Sequence, residues 1–248
     1  MGRKGMIFKR ALGFFLGTAL ALQPAAVMAA EAEESGADGI LFQDDFSGEE
    51  LDPAWQLYST GEYTLEQDTP GEGQVFHIRG TPWDGKASVM IGETGWVDYS
   101  VEMEFTLNEW TMEDAGMAAY DCVGIVGRKQ ESQWLCFYYR RADQELELNK
   151  NYGNAGHVLE TADYEMIPGT EYKMKLEFAG TAVAAYIAEA GEDYGAAVLN
   201  YEDDGSSGPT LEYGGAGIEV GGADISVSRF TVNGTYRTIP VESVTLNK

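Results

Sequence analysis

The chain has 248 residues, 31 of them glycine, with 44% hydrophobic and 12% aromatic residues, enough for one large, turn-rich, well-cored domain. Its 41 Asp and Glu outweigh 16 Lys and Arg, a formal charge of −25 that repels nucleic acid and other polyanions. Two cysteines are too few for a disulfide framework or a four-thiolate zinc site, and two histidines leave little material for a zinc or triad enzyme.

Residues 1–30 begin with Arg3, Lys4, Lys9 and Arg10, run through apolar Ala11 to Leu22, and close on Pro24 and the small residues before Ala30. This is the charged, apolar and cleavable pattern of a secretory signal peptide, with cleavage after Ala29 or Ala30. The apolar run is about a dozen residues against the ~20 that a spanning helix needs, so no membrane insertion is expected after cleavage. Cleavage takes away four of the 16 Lys and Arg and none of the 41 Asp and Glu, leaving 12 against 41, a formal charge of −29. Residues 31–39, opening Glu31-Ala32-Glu33-Glu34, read as a solvated acidic linker.

From Ile40 the pattern has period two, which places alternate side chains on opposite faces of a strand. Tyr99, Val101, Met103, Phe105 and Leu107 share one face, and Ser100, Glu102, Glu104 and Thr106 the other. The alternation recurs in Tyr172 to Phe178 and, less cleanly, in Val75 to Arg79, Ala182 to Ala188 and Ile218 to Val220. Val123–Arg128 and Trp134–Arg141 predict a hairpin, and Ala142-Asp143-Gln144 a second one leading into Leu146–Lys150. Ile225 and Val227 keep one parity while Phe230 and Val232 take the other, which predicts a β-bulge at Ser228-Arg229. Many short strands without a capped helical segment predict an all-β sandwich of two antiparallel sheets over residues 40–234.

Leu41-Phe42-Gln43-Asp44-Asp45-Phe46-Ser47-Gly48, Leu51-Asp52-Pro53-Ala54-Trp55, Trp96-Val97-Asp98-Tyr99 and the closing Ile225–Val232 together resemble the concanavalin A-like jelly-roll domains, of laminin-G and glucanase type, in secreted bacterial proteins. The resemblance implies a jelly roll whose usual partners are glycans. Ile239 to Lys248 is similar to the first strand of bacterial immunoglobulin-like repeats of surface proteins, so residues 235–248 read either as a linker with the start of such a repeat or as a plain tail.

Laminarinase-type hydrolases on this fold carry Glu-x-Asp-x-x-Glu on one strand, and this chain has Glu102-Met103-Glu104-Phe105-Thr106-Leu107, with Glu109 out of place. The acid position is lost, so these carboxylates read as a solvated strand face and the domain as non-catalytic. A binding module needs stacking rings and polar hooks. Trp83, Trp110, Tyr139, Arg140, Tyr152 and His157 are the candidate carbohydrate-binding residues, and neutral glycans suit the acidic field. The resemblance also implies a structural Ca²⁺, with Asp44, Asp45 and Asp224 as ligands if the first and last strands pair. Ser228-Arg229, however, stands where that pattern has Asp-Asn. Cys122 and Cys136 lie on the two arms of the first hairpin, and its register decides between a disulfide and two buried thiols. The expectation is a secreted or cell-surface carbohydrate-binding module; the competing readings are a glycan-active enzyme with other carboxylates and an adhesion domain without a sugar site.

Overall fold

A computed structural model describes residues 39–58, 61–67, 73–80, 86–92, 95–111 and 121–236. The leader, most of the acidic linker and the residues after Tyr236 lie outside the described residues. Among the described residues every regular element is a strand, and the strands form two antiparallel sheets.

One sheet runs in the order β13 (Leu199–Glu202), β12 (Ala182–Glu189), β11 (Glu171–Ala179), β6 (Trp96–Trp110), β15 (Ala223–Tyr236), β4 (Gln74–Arg79) and β3 (Glu62–Gln67). Its eighth strand, β1 (Gly39–Asp44), also pairs with β15. The other sheet runs β10 (Ala155–Asp163), β9 (Glu145–Tyr152), β8 (Trp134–Arg140), β7 (Cys122–Lys129), β14 (Gly215–Gly221), β5 (Ala87–Ile91) and β2 (Gln56–Tyr58).

The period-two pattern of β6 and β11 does what it predicts. Val101, Met103, Phe105, Leu107, Met174 and Leu176 are fully buried and face Ile125, Phe137, Leu148 and Ile218 of the other sheet. Each such side chain contributes about 1.5–3 kcal/mol on burial. At one end Trp55, Phe76 and Phe230 close the core, the Trp55 and Phe230 rings 5.0 Å apart at 65°. The predicted bulge is present between Val227 and Arg229. It lets one half of β15 hold β4 through Asp224–Val227 while the other half holds β1 through Phe230–Gly234.

Both predicted hairpins form, β7 with β8 and β8 with β9. In the first, Cys122 stands opposite Arg140 and Cys136 opposite Val126, so both thiols share a face but lie four residues apart along the strands. That is about 13 Å of strand rise, against the ~7 Å limit between Cα atoms for a disulfide. Both cysteines are free and buried, and burial pushes both thiols up. Intact-mass analysis under non-reducing conditions is expected to show no loss of hydrogen, with both thiols alkylated only after unfolding. A mass deficit of one disulfide would contradict this register.

Candidate functional site

β8 divides its side chains by parity. Leu135, Phe137 and Tyr139 enter the core, while Trp134, Cys136, Tyr138 and Arg140 point away from it. The register extends this outward set across the sheet. Tyr138 faces Glu147 of β9 and Gly124 of β7, and the row continues through Glu219, Ser88 and Tyr58. The next row carries Asn149, Cys136, Val126, Gly217, Met90 and Gln56.

The outward face of a sandwich sheet is ordinarily wet, yet here Tyr138 is 3% exposed, Asn149 and Glu219 4%, and Glu147 5%. Met90, Cys122, Val126, Cys136 and Tyr138 form an apolar cluster separate from the core, with Trp134 packed against it. Buried carboxylates need partners, and these have them. Glu147 Oε1 accepts the Tyr138 O–H at 2.8 Å and Asn149 Nδ2 at 2.8 Å. Glu219 Oε2 accepts Lys86 Nζ at 3.1 Å, and the same ammonium lies 4.4 Å from the centre of the Tyr138 ring. Burial pushes the Tyr138 phenol far above its ordinary value, and the facing Glu147 acts in the same direction, so the phenol stays a donor.

Two groups on this face have unmet capacity. Trp134 Nε1 and Arg140 Nε are buried donors without a hydrogen-bond partner among the described residues. Unpaired buried donors cost about 1–3 kcal/mol each. Two glycines make room for neighbouring atoms that already fill the space above them. A Cβ on Gly124 would come within 2.2 Å of the Phe137 carbonyl oxygen and 2.3 Å of Tyr138 Cβ, and one on Gly217 within 2.4 Å of Met90 Sδ. The result is a band of aromatic faces, carboxylate acceptors and N–H donors across β9, β8, β7 and β14.

Of the six candidate carbohydrate-binding residues, the structure brings Arg140 to this band and, among the described ones, no other. Trp83 lies outside the described residues. Tyr139, read as a ligand contact, is a core residue at 2% exposure, because it has the parity of Phe137. Trp110 is half-buried at the end of β6, its ring 5.7 Å from that of Tyr139 and 5.4 Å from the Arg141 guanidinium. Tyr152 and His157 do meet, stacked 3.9 Å apart. They stand on the opposite side of the sheet from Asn149 and Asn151, against the turn at Gly208. Glu147, Asn149 and Glu219 were missed. The signal available was the parity of β8, whose more apolar half is Leu135, Phe137 and Tyr139.

The three aspartates expected to share a calcium ion do not fit one. The first and last strands do pair, but Asp44 stands opposite Phe230, while Asp224 pairs with Arg79 six residues further along β15. That is about 20 Å. Asp44 Oδ2 accepts the Trp55 indole N–H at 2.9 Å and its Oδ1 the Phe46 amide at 2.8 Å. Asp45 is occupied by Ser47, whose hydroxyl and amide hold its carboxyl below the ordinary value. Asp224 is held by His77 Nε2 at 2.7 Å, Arg79 at 2.5 Å and Asn108 Nδ2 at 2.8 Å. The described residues contain no group of three His, Cys, Asp or Glu able to hold a metal ion. Glu102 and Glu104 lie on the outward face of the eight-stranded sheet, Glu104 3.7 Å from Arg229.

No protein-family model and no curated protein sequence matches this chain. Solved structures do match in fold. A carbohydrate-binding module, CBM66, from Bacillus subtilis superposes with a TM-score of 0.55 at 14% identity, over 73% of this chain and 95% of that one. A Bacillus subtilis protein of unknown function with a galectin-like fold gives 0.57 at 17% identity, over 82% of this chain and all of the other. Peanut lectin gives 0.54 at 11% identity, with coverage of 82% and 100%. The chain has the lectin-type jelly-roll fold, an antiparallel sandwich of two sheets.

Proposed function

We propose that this protein is an exported, non-catalytic carbohydrate-binding module, and that its ligand lies on the outward face of the seven-stranded sheet. The observation that carries the reading is the composition of that face, where half-buried Trp134 shares its parity with Tyr138, Asn149 and the Glu147 carboxylate. Sugars offer hydroxyls that both donate and accept, and C–H faces that pack on rings, and the band supplies a partner for each. The shared fold of a carbohydrate-binding module and a plant lectin supports the class of ligand, while the chemistry of this face supports the place.

Neutral glycans fit better than acidic ones. The cations on this face are already engaged: Lys86 by Glu219, Arg140 by Asp143 at 3.6 Å, and Lys129 by the carbonyls of Gln130 and Glu131. A sugar carboxylate or sulfate would meet a field of −29. The leader pattern in residues 1–30 supports export.

The test is a glycan array followed by calorimetry on the hits. Trp134→Ala is expected to weaken binding at least about tenfold, the effect of 1.4 kcal/mol, with the melting temperature little changed. Unchanged affinity would remove this face as the site, and silence across the array would favour an adhesion domain without a sugar site. Release of product from a bound glycan would convert the reading to an enzyme.

A further inference from the structure

Resting on the binding face just proposed, we infer that the ligand is held at the β10 rim of that face and is the end of a sugar chain, one ring whose hydroxyl enters a notch above Gly156. The middle of the face is closed, because Tyr138, Cys136, Val126, Glu219 and Met90 are all buried. It opens toward β10, where Gly156 is exposed, Val158 is 57% exposed and Asn151 of β9 is half-buried.

The register sets Trp134, Asn151 and Gly156 in one row across β8, β9 and β10, with Cys136, Asn149 and Val158 in the next row inward. A relay of donors orients the two carboxamides. Asn151 Nδ2 is engaged by Asn149 Oδ1 at 3.3 Å and Cys136 Sγ at 3.4 Å, and Asn149 Nδ2 by Glu147 Oε1 at 2.8 Å. Asn151 Oδ1 is left as an acceptor with no hydrogen-bond partner among the described residues. At the other rim, on β2, the Gln56 carboxamide oxygen already accepts the Tyr58 hydroxyl.

Gly156 gives that oxygen its access. Glycine inside a strand weakens it and often marks a place where a ligand comes close to the backbone. A Cβ at Gly156 would have three carboxamide atoms as its nearest neighbours: Asn149 Oδ1 at 3.0 Å, Asn149 Nδ2 at 3.3 Å and Asn151 Oδ1 at 3.3 Å. The exposed position therefore has no side chain of its own and two carbonyl oxygens converging on it, which suits an O–H donor. Trp134 supplies the apolar side. Its ring is half-buried against the cluster of Cys136 and Tyr138, with Lys129 Nζ 5.0 Å away from the β7 side. Two strand spacings, about 10 Å, separate Trp134 from Gly156, a gap that one sugar ring bridges from C–H face to hydroxyl. Inward of this row the surface is closed, so the rest of a chain leads out past β10.

The experiment measures affinity against chain length by calorimetry, using cello-, xylo-, laminari- and fructo-oligosaccharide series from disaccharide to hexasaccharide and any ligand the array identifies. Molar affinity is expected to stay level with length in the series that binds. Gly156→Val fills the notch with a residue that suits an exposed strand. It should weaken every length about tenfold, equivalent to 1.4 kcal/mol, and Asn151→Ala, which removes the acceptor, should do the same. A steady rise of affinity with length overturns the chain-end site. Unchanged affinity in Gly156→Val or in Asn151→Ala, with Trp134→Ala still weakened, overturns the notch and leaves the binding face standing. Absence of binding in every series overturns both. Thermal melting of the two variants within a few degrees of the parent makes the loss a property of the notch rather than of the fold.

Discussion

Asp203→Ala is expected to lower stability by about 3–5 kcal/mol, read as a fall of about 10 °C in Tm. Lys150 and Asp203 are both fully buried and paired, Lys150 rising from the end of β9 and Asp203 from the segment after β13. The pair is also a fastening. Lys150 Nζ donates to the Pro209 carbonyl at 3.1 Å, and Asp203 Oδ2 accepts the Leu211 amide at 2.9 Å. Arg128, equally buried, grips the same segment from below, donating to the Leu211 carbonyl at 2.6 Å. Removing one carboxylate therefore leaves an uncompensated ammonium in the interior and frees the 203–211 segment together. Replacing both partners at once, Lys150→Met with Asp203→Leu, should recover most of the loss, because an apolar pair carries no desolvation cost. Denaturant unfolding of the two single variants and the double variant gives the coupling directly. A single-variant loss below ~1 kcal/mol would mean that the pair holds nothing.

Tyr138→Ala and Tyr139→Ala are expected to fail in opposite ways although one residue apart. Tyr139 is in the core, with the Trp110 ring 5.7 Å and the Tyr164 ring 6.5 Å away. Its truncation should cost about 3–5 kcal/mol as for other buried aromatics. Tyr138 lies on the proposed ligand face, donates to Glu147 and offers its ring to Lys86. Its truncation should lower glycan affinity about tenfold or more, equivalent to at least 1.4 kcal/mol, with a smaller loss of stability. Tyr138→Phe separates the ring from the hydroxyl: it keeps the Lys86 contact and deprives Glu147 of one donor. Calorimetry beside denaturant unfolding on all three variants reads both quantities. Intact binding in Tyr138→Ala together with a core-sized loss of stability would place Tyr138 in a purely structural role.

The same two tyrosines show where sequence reading stops. Period two identifies that Tyr138 and Tyr139 face opposite ways, but not which of them faces in, because both are amphipathic aromatics. The decision comes from Leu135 and Phe137, one turn of the pleat earlier, and from what the neighbouring strands place opposite. Strands such as β6 and β11 were legible because one parity was apolar and the other charged. β9 was harder: Glu147 and Asn149 look like a wet face, and only the register with Tyr138 makes them buried partners. The bulge at Ser228-Arg229 was legible because a phase slip is a local event. The position of Asp224 was not, since pairing of β1 with β15 admits many registers and the observed one sends Asp224 to His77 and Arg79. The Lys150–Asp203 pair spans a long separation in sequence and leaves no periodic trace.

The pairing of β1 with β15 has a mechanical side. The two strands run antiparallel with Gly39 opposite Gly234, so the first described strand begins where the last one is ending. A tension applied through those two points loads the ladder like a zipper, breaking its hydrogen bonds one after another instead of all at once. β1 should therefore peel away at low force, carrying Phe42 out from beside Trp55 and Phe230. The seven-stranded sheet has no share in that ladder and feels none of the load until β1 has gone.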